Sequence, residues 1–173
     1  HGCSDLSNRL WERSVHVAAL SYVLAKKFAP KLNADEAMFA GIVIDLGRFY
    51  LLSRVPDYPA LLEDVVVLAE TINDLADQVS ERVLKELNLP ASIVEAVLAA
   101  RTYSGSMPPS SIADLLFIAG VVSPRHDPFD ELDARVIPAS SAAVNFGLDQ
   151  GTLSEVIAAS GDEIYSIVIA LEG

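Results

Sequence analysis

Asp45 is the residue of this chain whose sequence context most resembles that of a metal-binding site. It lies in the segment Ala-Gly-Ile-Val-Ile-Asp-Leu-Gly-Arg, from Ala40 to Arg48. An adjacent His-Asp pair on a buried helix can hold a divalent ion, because neutral imidazole and carboxylate are both good metal ligands. Here the residue before the aspartate is Ile44, whose alkyl side chain has no donor atom. The segment therefore predicts an enzyme scaffold whose chemistry has been removed.

Two histidines could complete a ligand set with Asp45. His16 follows Arg13 by three residues, so the two share a helix face and His16 could line the same cleft. A hydrogen-bonded structural histidine is the simpler interpretation, because nothing nearby in the sequence supplies further ligands. His126 lies in Pro-Arg-His-Asp-Pro, and its flanking prolines predict a polar loop rather than the helical setting of a ligand pair.

The remaining polar candidates have ordinary structural interpretations. Asp74, Asp77 and Glu81 are spaced three and four residues apart and could bind a hard cation weakly, but this spacing is typical of a solvated helix face. Trp11 is expected to fill a core or an interface. Cys3 has no base close to it in the sequence, so a nucleophilic role is unsupported.

The composition predicts one folded domain with an acidic surface. The chain has 173 residues, of which 51% are hydrophobic and 21% charged, so it can bury a core and disorder is not expected. Its net charge of −12 disfavours binding to nucleic acid. The charge is uneven, because residues 61–87 hold an excess of acids while residues 1–60 are almost balanced. Any basic partner should therefore prefer the middle of the chain.

Other features of the composition bear on location. The single cysteine excludes an internal disulfide and is typical of a reducing cytoplasm. No apolar run is long enough to span a membrane, and no basic-then-apolar signal segment is present. Residues 1–3 are expected to be a remnant or a disordered start. Because a helix begins almost at once, we expect upstream sequence to have been left out.

The hydrophobic spacing predicts helices throughout, hence an all-α fold. The segment from Asn33 to about Ser53 begins with a capping box and is apolar nearly all round, so it is expected to be the central buried helix. The segment Ser123–Asp133, which carries prolines and acids, is expected to be an exposed excursion. The other predicted helices run from about Ser4 to Phe28, Leu61 to Leu68, Asn73 to Leu87, Pro90 to Ala100, Ser111 to Val122 and Ser140 to Phe146, with a last helix that opens at Thr152 and kinks at Gly161.

Four motifs follow one another in the sequence, at Leu10–Ser14, Ala40–Arg48, Leu84–Pro90 and Ile93–Ala96. In this order and spacing they resemble the HDOD family, the output-domain branch of the HD superfamily of metal-dependent phosphohydrolases. The resemblance extends over most of the chain and implies a compact multi-helix bundle of the HD-domain type. It also implies a single domain over residues 4–173, from which the family's amino-terminal helical lobe is missing.

What the resemblance implies about the site is mostly negative. In active HD enzymes, histidines and aspartates on helices bind one or two metals, which activate a water to cleave a phosphoester. Matched to this sequence, only Asp45 is retained, and one carboxylate cannot hold a divalent ion tightly. No metal or other cofactor is therefore expected. The matched positions that lack a ligand are Arg13, Ile44, Ala76, Ala100, Arg101 and Gly120.

Asp45 then needs a positively charged partner, because an unpaired buried carboxylate is costly. Arg13 and Arg101 replace presumed ligands around the same point, and an Arg–carboxylate pair has favourable geometry. We therefore predict that a guanidinium occupies the space of the lost metal. The alternative is a partly exposed pair between Asp45 and Arg48, three residues apart on one helix.

The resemblance implies a non-catalytic domain of bacterial signal transduction that acts through protein contacts. Its partners would be other signalling proteins or domains, of the receiver or cyclic-dinucleotide-metabolising type. A missing lobe would also leave apolar surface through which two copies could form a homodimer. Two alternatives stay open. One is a phosphohydrolase with a relocated site at His16, Asp45 and His126, and the other is a nucleotide sensor that uses Arg13, Arg48 and Arg101.

Overall fold

The computed structural model describes residues 2–105, 108–136 and 150–173, and these residues form an all-helical bundle. The prediction of an all-α bundle of the HD-domain type is confirmed. The predicted helix at Ser140–Phe146 lies outside the described residues. The described helices are α1 (Gly2–Phe28), α2 (Ala34–Val43), α3 (Leu46–Arg54), α4 (Val65–Glu86), α5 (Ala91–Ala99), α6 (Ile112–Val122), α7 (Pro128–Leu132), α8 (Gln150–Ala159) and α9 (Gly161–Glu172).

The central helix is α1, so the expectation that the segment after Asn33 would be central is wrong. Helix α1 packs against α2, α3, α6, α7 and α9. From Leu10 to Ala25 most of its side chains are buried, whereas Phe39 of α2 is exposed. Small residues let α1 and α2 approach closely, which helps to bury α1. A Cβ on Gly41 of α2 would lie 2.5 Å from the Cα of Ala18, so the two helices are in backbone contact.

The expected long helix from Asn33 to Ser53 is broken at Ile44 and Asp45, which separate α2 from α3. The Asn33 cap forms as expected, with its side chain accepting from the amides of Asp35 and Glu36. The break has a tertiary cause. Asp45 sits at the N-cap position of α3, but its carboxylate binds α1 instead of capping the helix. Helix α3 then packs against α4, where a Cβ on Gly47 would lie 2.6 Å from the backbone nitrogen of Ser80.

Two further boundaries differ from the predictions. Helix α4 begins at Val65 rather than at Asn73, because the Asp64 side chain caps it by accepting from the amides of Val66 and Val67. The predicted separate helix at Leu61–Leu68 does not form: its beginning lies in the 3-10 turn Pro59–Leu62, which follows another at Val55–Asp57, and its end is the first turn of α4. At the other end of the chain, Thr152 lies inside α8 rather than capping it, and the predicted kink is a break between α8 and α9 at Ser160.

The segment Ser123–Asp133 is not the exposed excursion that its prolines suggested. Asp127 caps α7 by accepting from the amides of Phe129 and Asp130, and Pro128 occupies the first helical position. The side chain of Phe129 is completely buried in a core cluster with Leu6 and Leu10 of α1 and with residues of α3 and α4. This anchor holds the acidic residues of α7 over the start of α3.

Candidate functional site

A cavity of about 670 Å³ lies between α1, α3, α4, α6 and α7. The structure brings eight of the nine sequence-predicted cleft residues around this one cavity. One further wall is apolar and includes Leu116, Phe117 and Val121 of α6, whereas the residues around the start of α7 add polar groups, among them Asp127 and Asp130. The eight residues are Arg13, Ile44, Asp45, Arg48, Ala76, Ala100, Arg101 and Gly120.

His16 is the predicted cleft residue that does not line the cavity. It is half-buried in α1 near Arg125, Glu12 and Glu172. Burial lowers the pKa of His16 below its ordinary value, and the charge of Arg125 acts in the same direction. His126, in contrast, does line the cavity. The two histidines are therefore not brought together around Asp45.

The carboxylate of Asp45 is buried and makes three polar contacts. Its Oδ2 accepts from Nη1 of Arg13 at 2.8 Å and from the hydroxyl of Ser14 at 3.0 Å. Its Oδ1 lies 3.4 Å from Nη1 of Arg48. Arg13 is thus a partner, as one of the two favoured predictions had it, and Arg48 contributes as well. Arg101 is not a partner of Asp45, because its Nε pairs with Asp77 at 3.2 Å.

Arg48 holds a second group of acids that the sequence did not reveal. The arginine is only 4% exposed. It donates to Asp127 Oδ2 and, through Nη2, to Asn73 Oδ1 at 2.9 Å. The same Nη2 lies 3.7 Å from Oδ1 of Asp130. Its guanidinium carbon also lies 5.5 Å from the ring centroid of Phe129, which is a favourable cation–π distance.

Arg13 closes this arrangement, since its Nε is 3.8 Å from Oδ2 of Asp127. Two arginines therefore face three carboxylates, those of Asp45, Asp127 and Asp130. We call these five side chains the arginine–aspartate cluster. The sequence carried a signal for the missed acids, because an aspartate before a proline and an aromatic residue is a helix-cap pattern, which can fix a loop in place.

The charges of the arginine–aspartate cluster shift the pKa values of its own side chains. Burial alone would lower the pKa of Arg13 and of Arg48, but the neighbouring carboxylates outweigh it and raise both. Burial alone would raise the pKa of Asp127, but Arg48 and Arg13 hold it well below its usual range. Asp130 differs. Burial raises its pKa, and the negative charge of Asp127 raises it further.

The three acids of α4 that the sequence singled out as a weak cation site are each paired with a cation. Asp74 binds Arg135 at 3.1 Å, Asp77 binds Arg101 at 3.2 Å, and Glu81 binds Lys85 at 2.6 Å. These acids form a charged helix face, and they do not converge as ligands of one cation.

The donor atoms around Asp45 do not fit a divalent ion. Ile44, Ala76, Ala100 and Gly120 offer no side-chain donor, and a Cβ on Gly120 would lie 3.4 Å from Nη2 of Arg13. The guanidinium thus lies directly against that position. Over residues 2–105, 108–136 and 150–173, no three His, Cys, Asp or Glu side chains are grouped so that they could hold a metal ion.

The model of the HDOD domain family matches residues 2–103, which is more than half of the chain and includes α1 to α5. No curated protein and no solved structure is significantly similar to the chain. Among the residues that the structure describes, no helix combines the length and the apolar character needed to cross a bilayer.

Proposed function

Because the chain belongs to the HDOD family, which is associated with signalling and with the HD superfamily, we propose that it is a non-catalytic signal-transduction domain that acts through protein contacts. Its partners would be bacterial signalling proteins or domains of the receiver or cyclic-dinucleotide-metabolising type, and its location would be the cytoplasm.

One observation carries the proposal, namely that both oxygens of the Asp45 carboxylate are engaged by the protein itself. Arg13 and Ser14 bind one oxygen, and Arg48 approaches the other. A metal ion at this point would need at least two further ligands, the positions matched to the family's other ligands carry no metal-binding side chain, and the ion would lie against two guanidinium groups. The positive charge that an HD enzyme obtains from its metal is here supplied by arginine.

The two alternative functions are less well supported. A relocated hydrolase site at His16, Asp45 and His126 is disfavoured because His16 lies outside the cavity. A sensor for anions is favoured by three arginines that line one cavity, but each of them already faces an aspartate. An anionic ligand would have to displace those carboxylates against the net charge of −12.

Metal analysis of the purified chain tests the proposal. The protein is incubated with excess Fe²⁺, Mn²⁺ or Zn²⁺ and dialysed. Bound metal is then measured by inductively coupled plasma mass spectrometry, and phosphodiesterase activity by hydrolysis of bis(p-nitrophenyl) phosphate. We expect far less than one bound ion per chain and no hydrolysis above that of an Asp45→Asn variant. Stoichiometric metal together with hydrolysis that this variant lacks would overturn the proposal. A rise in melting temperature with a cyclic dinucleotide, without hydrolysis, would favour the sensor instead.

A further inference from the structure

An apolar patch is exposed where the chain enters α4. It consists of Tyr58, Leu62, Val65, Val66 and Val67, and we call it the valine patch. Each of these side chains is between 41% and 61% exposed. A helix that lies on a core buries at least one of any three or four consecutive apolar residues, so three successive exposed valines depart from the usual pattern. Such a run is expected where an apolar surface has a function.

The valine patch is held in a defined shape. The amide of Leu61 donates to the carbonyl of Tyr58 at 2.9 Å, and the Asp64 side chain caps the helix that carries the valines. Leu61 points the other way and packs against the core cluster that contains Leu68 and Ile72. Because the backbone is already ordered, a partner would bind this surface without the entropic cost of ordering it.

The charge around the valine patch indicates what could cover it. From Asp57 to Glu70 the sequence has four acidic residues and no lysine or arginine. Within the part of the chain that the structure describes, Glu63 and Asp64 have no salt-bridge partner. Asp57 and Glu70 are each paired with an arginine, so the uncompensated negative charge beside the apolar centre of the patch comes from Glu63 and Asp64.

We propose that the valine patch binds a partner protein whose contact surface has an apolar centre surrounded by lysine or arginine. This inference rests on the proposed function and names the partner's chemistry. A second copy that bound through the same patch would bring Glu63 and Asp64 of both chains together, which costs free energy. An anionic membrane or a nucleic acid would be repelled by the same charges.

Binding of a designed probe tests this inference. The probe is a helical peptide of about 18 residues with leucine on one face and lysine on the other, and its control carries glutamate in place of lysine. Titration calorimetry with the full chain is expected to detect one site for the lysine peptide and none for the glutamate peptide.

Paired variants separate the patch from general charge attraction. Leu62→Ser should weaken binding about tenfold, as loss of a central apolar contact does. Leu87→Ser should leave binding unchanged, because Leu87 is equally exposed (56% against 54%) but lies at the far end of α4. Glu63→Lys should weaken binding more than Glu155→Lys, which makes the same charge change on α8. Circular dichroism of each variant establishes that it is folded.

Several results would overturn the inference. These are equal effects of Leu62→Ser and Leu87→Ser, equal effects of the two lysine substitutions, or binding of the glutamate peptide. Binding of phosphatidylserine vesicles, or self-association in sedimentation that Leu62→Ser abolishes, would assign the patch to a membrane or to a second copy. None of these results would restore metal-dependent hydrolysis, so the patch can fail while the proposed function stands. Metal-dependent hydrolysis would end the proposed function whatever the peptide does.

Discussion

Two buried aspartates, Asp45 and Asp114, are stabilised in different ways. Asp45 is 4% exposed and faces the positive charges of Arg13 and Arg48. Asp114 is 1% exposed, and its hydrogen-bond donors among the described residues are neutral. Its Oδ1 accepts from the amide of Ser104 at 3.0 Å. Its Oδ2 accepts from the hydroxyl of Ser104 at 2.8 Å and from the amide and the hydroxyl of Ser110, each at 3.2 Å.

The neutral arrangement is sufficient to keep a carboxylate charged. Burial alone would raise the pKa of Asp114, but the hydrogen bonds from Ser104 and Ser110 outweigh burial and lower it. Asp114 lies in the first turn of α6 and fastens the preceding loop to it, so its role is local. Asp45 belongs to a cluster that joins α1, α3 and α7, which are far apart in the sequence. The Ser14 hydroxyl also joins α1 to Asp45, but the two guanidinium groups bind Asp127 as well and so hold the start of α7 to α1 and α3.

The largest effect is expected when Arg48 is replaced. Arg48→Leu would leave Asp127 and Asp130 without their nearest cation and would remove one of the two arginines at Asp45. Breaking a buried ion pair on one side typically costs about 3–5 kcal/mol, because the remaining charge is not compensated. We expect a loss of this size in the free energy of unfolding, measured by urea denaturation.

The matched control for Arg48 is Arg54→Leu, since Arg54 pairs with Asp57 at the surface at 2.6 Å. Exposed pairs contribute less than about 1 kcal/mol. Comparable losses in the two variants would mean that the arginine–aspartate cluster does not stabilise the fold more than an exposed pair does.

A smaller loss is expected for Asp114→Asn. Asparagine has one acceptor oxygen, so in either orientation its amide group would face a backbone N–H of Ser104 or Ser110. An unsatisfied buried donor costs about 1–3 kcal/mol. The advantage of the wild type should be complete above about pH 4, the ordinary pKa of an unfolded aspartate, and should decline as pH falls through the lower folded value.

Chemical denaturation from pH 7 down to pH 3 measures this decline, with the exposed Asp35→Asn as a control that should change stability by less than about 0.5 kcal/mol. A difference between Asp114→Asn and wild type that does not depend on pH would contradict the assignment of a charged Asp114.

The sequence predicted the fold class, Asp45 as the central acid and Arg13 as a partner, because these follow from short patterns and a family resemblance. It did not predict the break between α2 and α3. No proline interrupts the segment from Ala34 to Arg54 and its apolar spacing is helical, whereas the break depends on Arg13, Ser14 and Ser80, which lie elsewhere in the chain.

The acids of α7 were missed for a related reason. Prolines and charges from Ser123 to Asp133 suggested solvent exposure, but a single aromatic residue, Phe129, anchors the segment in the core. The composition of the segment indicates only its average polarity, whereas the buried ring of Phe129 determines where the adjacent aspartates lie. Asp114 was missed because its donors come from a loop whose path a sequence pattern does not specify.

The smallest effect, and one of opposite sign, is expected at Asp130. Its Oδ1 is buried and has no hydrogen-bond donor among the described residues, and its pKa is raised by burial and by the nearby charge of Asp127. The charged form is therefore disfavoured in the folded protein, so Asp130→Asn should stabilise the chain at pH 7, by up to about 1 kcal/mol.

Lowering the pH should remove the advantage of Asp130→Asn. Because the folded pKa of Asp130 lies above the unfolded value of about 3.9, the wild type binds its proton first in the folded state and gains stability relative to the variant as pH falls. Asp127→Asn provides the contrast three residues away. It removes the carboxylate that both arginines bind, so it should destabilise the chain at pH 7. If both variants destabilise the protein equally, Asp130 is a needed member of the cluster, and the surplus negative charge is balanced in another way.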